Sequence, residues 1–208
     1  MGLISNGTTI FDSGALDSGV AKGAMTCIKK LTASSSATLS FVDGASGVVL
    51  DDTYKEYVFT FKDIHPETDA KYFTFQTDTG SNTNYNQAIT GTFFSSFHPE
   101  DNSSTALGYG AGDDQAQGTA FNRLTGLIGN ENDESGCGTL KIFNPSSTTF
   151  VKHFISTTQY VDRSPATVQI FTAGYFNTTT ALNKIQFKMN SGDIDAGTIK
   201  MYGVGPKQ

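Results

Sequence analysis

Two near-duplicate tripeptides, His65-Pro66-Glu67 and His98-Pro99-Glu100, put an imidazole beside a carboxylate, a pairing used in acid–base and metal chemistry. Each follows an aromatic, alternating stretch. A residue before proline is pushed to extended backbone and the proline then opens a turn, so both copies read as strand-to-turn punctuation. The third histidine, His153, alternates with Val151 and Ile155 and reads as a packed or interface side chain. Acidic pairs stand at Asp51-Asp52, at Asp113-Asp114, at Asp133-Glu134, and at Asp193 with Asp195. A glycoside hydrolase needs two carboxylates about 5 to 10 Å apart across a cleft. These acids sit in turn-rich sequence, where aspartate caps backbone amides, and Asp193-x-Asp195 lacks the ligand number of a calcium loop. No Gly-x-Ser-x-Gly, His-Glu-x-x-His or phosphate-binding glycine loop occurs. The residues therefore predict no catalytic, metal or cofactor site, and no enzyme.

Sugar binding asks for less: an aromatic platform with nearby amide or carboxyl groups. Tyr85 with Asn82 and Asn84, and Tyr109 with Asp113, Asp114 and Gln115, supply those types on loops. The same residues also serve as ordinary loop filling.

The chain has 208 residues, enough for one large domain that buries roughly 70% of its unfolded surface. Its core builders are aromatic, with 16 Phe and 8 Tyr but no Trp, and its 22 Gly imply many tight turns. The net charge is −6, and only 14 Lys and Arg are spread along the chain. A groove for nucleic-acid phosphates needs clustered bases, so no nucleic-acid partner is expected. Cys27 and Cys137 are neither a disulfide framework nor a zinc pair, and read as buried small apolar residues. No stretch reads as a signal peptide, and no run approaches the roughly 18 apolar residues of a membrane span, so no membrane insertion is expected. Asn6 stands where a myristoylation signal wants Ser or Thr, and the sequons headed by Asn6, Asn102 and Asn177 read as chance in a Thr-rich chain.

These residues must be positioned by strands. Apolar and polar residues alternate over 25–31, 37–42, 54–64, 71–77, 89–97, 138–143, 149–161 and 168–176. Tyr57, Phe59 and Phe61 share one face, as do Phe73 and Phe75. Residues 102–117 form a long Gly, Asp and Ser segment, and 118–128 fits a short strand or a helical turn. At the end of the chain Ile185, Phe187 and Met189 oppose Lys184, Gln186 and Lys188, and Ile199 with Met201 oppose Thr198, Lys200 and Tyr202. Asn190-Ser191-Gly192-Asp193 lies between these runs, and the unit reads as a β-hairpin with one greasy and one basic face. About ten closely spaced strands without helical crossovers predict an all-β fold. The expected form is an antiparallel β-sandwich, jelly-roll or lectin-like, with a closed β-barrel as the alternative.

Residues 1–24 read as an extended N-terminal arm before a β-sandwich domain over 25–208. Only Leu3, Ile4, Ile10, Phe11, Leu16 and Val20 can anchor the arm. Ordering it costs about 1–2 kcal/mol per residue of backbone entropy, recovered against its own domain or a neighbouring subunit.

Five stretches carry a resemblance. They are residues 1–12 (Met-Gly-Leu-Ile-Ser-Asn-Gly-Thr-Thr-Ile-Phe-Asp), 28–41, 143–154, 173–177 and the closing 187–203. Together they resemble poorly characterised virion structural proteins of marine tailed bacteriophages. The resemblance implies a place in a phage particle assembled in the host cytoplasm, with other virion proteins as partners; contacts of the arm with an adjoining subunit, in symmetric repetition, make a homo-oligomer the expected state. Three readings stay open. The first is a non-enzymatic structural subunit, either a capsid decoration or a tail-associated protein. The second is a host-receptor adhesin of the tail that binds surface glycan, and the third is a glycan-cleaving enzyme.

Overall fold

The structure, a computed structural model, describes residues 3–12, 15–16 and 24–205. Among them the chain forms sixteen strands and no helix. In order these are β1 (Leu3–Ser5), β2 (Thr8–Asp12), β3 (Ala15–Leu16), β4 (Met25–Ser36), β5 (Leu39–Val42), β6 (Glu56–Pro66), β7 (Phe73–Thr79) and β8 (Ile89–Pro99). There follow β9 (Ala106–Tyr109), β10 (Gln115–Gly118), β11 (Asn122–Arg123), β12 (Gly136–Phe143), β13 (Lys152–Asp162), β14 (Ala166–Phe176), β15 (Leu182–Met189) and β16 (Ile194–Val204). The larger sheet runs β10-β8-β14-β13-β12-β6-β16-β4, with β9 also paired to β8, and the smaller runs β11-β7-β15-β5. All pairings are antiparallel, and neither sheet closes on itself. The fold is a β-sandwich.

Alternation in the sequence decides which side chains meet between the sheets. Tyr57, Phe59 and Phe61 of β6 face inward, and so do Phe73 and Phe75 of β7 and Phe187 of β15. Phe187 is the hub. Its ring centroid lies 5.4 Å from those of Phe59 and Phe61, 5.7 Å from Phe73 and 6.2 Å from Phe41. Further along, Phe75 meets Phe154 edge-on at 5.1 Å. Val48 and Leu50, between β5 and β6, are not strand but a buried plug, anchored where Leu50 N donates to Asp43 Oδ1 at 2.9 Å.

The two ends of the chain depart from expectation. The closing unit is not a hairpin within one sheet. β15 pairs with β5 and β7 in the smaller sheet, whereas β16 pairs with β4 and β6 in the larger. The turn at 190–193, with Gly192 at φ +71°, carries the chain from one sheet to the other. Ile185, Phe187 and Met189 thus face Ile199 and Met201 across the core instead of sharing a face with them. On the N-terminal side, the described residues of the arm fold back on themselves. β1, β2 and β3 form an antiparallel meander, and Asn6 and Gly7, at φ +47° and +77°, make the two-residue turn that right-twisted hairpins prefer. Leu3 lies opposite Phe11, with a register shift between Leu3 and Ile4, and Phe11 lies opposite Leu16; Ile4 is exposed, Ile10 is half-buried, and Val20 lies outside the described residues.

Both cysteines are exposed and free, contrary to the expected burial. Cys27 lies on β4, the terminal strand of its sheet, and Cys137 lies on β12, where its thiol reaches Gln159 Oε1 at 3.7 Å.

Burial of the Tyr57 hydroxyl pushes its pKa up to about 12. Burial raises Tyr160 in the same sense. The unfolded chain deprotonates first, so this stabilisation is complete below about pH 10 and is lost as pH rises toward 12. Lys152 acts the other way, because burial pushes its ammonium down and that penalty is relieved at high pH. Denaturant titrations at pH 9 to 12 are expected to show wild type losing about 2 kcal/mol more than Tyr57→Phe. Equal losses in both proteins contradict this placement of the Tyr57 hydroxyl.

Candidate functional site

The outer face of the larger sheet, over β8, β14 and β13, carries a trough with a mainly apolar lining. Thr90, Tyr175 and His153 form one cross-strand row, and Thr92, Ala173 and Ile155 form the next. Between them Gly91 pairs with Gly174, and the Phe154 ring fills the space beneath both glycines. Tyr109, at the end of β9, and Asp114 to Ala116 form a wall along the β8 edge. The result is an open trough of about 670 Å³. Its apolar surface continues along the sheet. Tyr109 stands opposite Phe94, whose ring lies 6.1 Å from Phe171, and Leu107, Ile155 and Phe171 are all exposed. Large contiguous apolar patches on a protein surface often mark recognition sites.

Tyr109 is fixed by its hydroxyl, which donates to Asp114 Oδ2 at 2.6 Å, and this bond to a carboxylate raises the tyrosine pKa. Gln115 Nε2 donates to Ala120 O at 3.1 Å and reaches Asn122 Oδ1 at 3.4 Å, while its Oε1 is buried without a partner. Asp113 is turned away to pair with Arg123, whose guanidinium lies 4.0 Å over the Tyr72 ring. Tyr109, Asp114 and Gln115 are therefore brought together at the trough, and Asp113 is not.

The other expected sugar residues lie on a different loop. Asp78 organises it, accepting from Thr79 N and Tyr85 N at 2.9 Å and from Gln87 Nε2 at 3.2 Å. Tyr85 is buried with its ring 6.5 Å from Phe121, so it offers no open stacking face. Asn82 Oδ1 accepts from Asn84 N at 3.3 Å, and Asn82 O accepts from Lys184 Nζ. These contacts hold the loop together.

His65 and the acid candidates away from the trough take structural positions. Pro66 and Pro99 end β6 and β8, as the tripeptides imply. His65 Nδ1 lies 3.6 Å from Asp195 Oδ2, and its Nε2 lies 3.2 Å from Glu131 O, beside a hollow of about 380 Å³ that Asp63, Asp133 and Glu134 also line. Glu134 Oε2 accepts from Glu131 N at 2.8 Å, and Asp51 Oδ1 accepts from Thr53 N at 2.7 Å. Asp52 pairs with Lys55, which holds its carboxyl below the usual range. Among the described residues, no three His, Cys, Asp or Glu side chains are grouped to hold a metal.

Sequence reasoning missed Ile155, Tyr175 and His153 as members of one surface. The inward face of β13 carries Lys152, Ser156 and Thr158 with Phe154 and Tyr160, so apolar content does not mark the buried side. Lys152 is tolerated there because its Nζ donates to Thr178 O at 3.1 Å. A usable signal is the run Ala173-Gly174-Tyr175, where a glycine between outward residues permits a close strand approach.

No protein-family model matches the chain, and neither does any curated protein or any solved structure.

Proposed function

We propose that the protein is a non-enzymatic structural subunit of a bacteriophage particle, a surface-exposed capsid decoration or tail-associated protein that works in repeated copies. The sequence resemblance supplies the setting. The observation that carries the reading is the open end of the larger sheet. β4, twelve residues long, is the last strand of the sheet and leaves one edge unpaired among the described residues. The other end of that sheet is flanked by β9 and β10, of four residues each. A long free edge is a template for pairing with a neighbouring chain, and the N-terminal segment leads directly into it. Symmetric repetition is the usual way that subunits satisfy such an edge. Of the acids considered for glycan cleavage, Asp52 and Asp113 are tied into ion pairs and Glu134 into a turn, which favours the non-enzymatic reading.

Deleting residues 1–24 tests the proposal. The truncated protein is expected to keep its β-rich circular dichroism spectrum and to lose self-association and entry into particles. A truncated protein that enters particles normally defeats the assembly role of this segment. The second reading, an adhesin for host-surface glycan, is favoured by one observation: the meeting of Tyr109, Asp114 and Gln115 at an aromatic trough.

A further inference from the structure

We infer that the trough over β8, β14 and β13 is a binding site for neutral pyranose sugars, with Tyr109, Tyr175 and His153 as the stacking surfaces and Asp114 as the hydroxyl acceptor. The inference rests on the reading of the protein as a surface-exposed subunit of the particle.

The ligand class follows from what the trough offers. Its volume, about 670 Å³, falls within the range of roughly 300–1,000 Å³ usual for small-ligand sites. Its lining is mostly apolar, and the His153 and Tyr175 rings lie 6.2 Å apart at 61°, so they present differently inclined faces. Tyr109 is 54% exposed, yet its hydroxyl is bonded to Asp114, so its ring is positioned before a ligand arrives. Among the described residues, Asp114 Oδ1, the Tyr175 hydroxyl and the His153 ring nitrogens make no hydrogen bond. A ligand that fits must cover aromatic faces with C–H groups while meeting a carboxylate oxygen and several donors and acceptors at the rim.

A pyranose has that division: axial C–H bonds form an apolar face, and equatorial hydroxyls form a polar edge. A purely apolar chain would bury the Asp114 carboxylate without a partner for its free oxygen, which is costly. An anionic sugar would bring a second negative charge against Asp114 on a protein of net charge −6. Neutral hexoses and N-acetylhexosamines meet neither obstacle. The trough lies on the β8 half of the sheet, away from the β4 edge assigned to assembly, so both surfaces can be occupied at once.

The full chain is titrated with methyl glycosides of glucose, galactose, mannose and the two common N-acetylhexosamines. Tyrosine emission provides the readout, since the protein has 8 Tyr and no Trp to mask them. Saturable binding of at least one neutral glycoside is expected, weakened roughly tenfold or more by Tyr109→Ala or Tyr175→Ala. Asp114→Asn is expected to weaken it several-fold, while Asn84→Ala on the other loop leaves it unchanged. Melting curves for each variant establish that Tyr109→Ala, an exposed change, leaves the fold intact. Absence of saturable binding by every glycoside, or binding indifferent to both Tyr109→Ala and Asp114→Asn, overturns the inference. Incorporation of the wild-type protein into particles is measured separately. A protein found in particles that binds no sugar refutes this inference alone, and one that binds sugar but is missing from particles refutes the structural reading alone.

Discussion

Replacing Phe187 with alanine is expected to destabilise the protein by about 3–5 kcal/mol, a large share of the ~5–15 kcal/mol that holds a typical domain together. The reason is geometric. Phe187 is fully buried on β15, and its ring contacts come from both sheets: Phe59 and Phe61 from β6, Phe73 and Phe75 from β7, and Phe41 from β5. Removing it withdraws the central ring of the cluster and leaves a cavity that rings fixed on opposing strands cannot collapse to fill. Phe59→Ala should fall in the same range, since Phe59 meets both Phe41 and Phe187 at 5.4 Å. By contrast Phe150→Ala, at a side chain 68% exposed, should change stability by less than about 0.5 kcal/mol. Urea titration of the three variants measures these differences, and a Phe187→Ala loss below that of Phe150→Ala would refute the placement of the core.

The second large effect is expected at Gly174. A Cβ there would lie 2.4 Å from Thr90 O, 2.8 Å from Gly91 Cα and 2.8 Å from Phe154 Cζ. Two of those atoms are backbone of the neighbouring strand, so relief requires β8 and β14 to part. Ordinary overpacking costs about 1–3 kcal/mol, and Gly174→Val should reach or exceed the top of that range because the obstacle is not a movable side chain. Gly108→Ala is the control, with nothing within 4 Å of the added atom. Thermal melts should show a marked fall in Tm for Gly174→Val and almost none for Gly108→Ala. Equal melting of the two variants would contradict the close pairing of Gly174 with Gly91 that forms the trough floor.

How much of this was legible in the sequence depends on what periodicity can report. Alternation tells which side of a strand is greasy, and Tyr57, Phe59, Phe61, Phe73, Phe75 and Phe187 all face the core as read. Alternation does not tell which strand lies alongside. The run 184–204 looks the same whether its halves pair with each other or part to opposing sheets, because the turn at 190–193 serves either geometry. The N-terminal meander was open to reading through Asn6-Gly7, a strong hairpin signal between Leu3-Ile4 and Thr9-Ile10, but the surrounding small and polar residues obscured it. At the trough, Tyr109, Asp114 and Gln115 were recognisable by type in a stretch read as a loop, although Tyr109 closes β9 and Gln115 opens β10. His153, Ile155 and Tyr175 were not, since polar residues on the buried side of β13 remove the contrast that marks an outer face.

We propose that the protein is a repeated part of a phage particle. The most direct test of this role is quantitative mass spectrometry of particles purified by density gradient, with gold-labelled antibody against this chain imaged on intact particles. Recovery in a fixed ratio of several copies per particle is expected, with label on the outer surface of head or tail. Absence of the protein from purified particles, with recovery only in the soluble fraction of lysed host cells, would contradict this role.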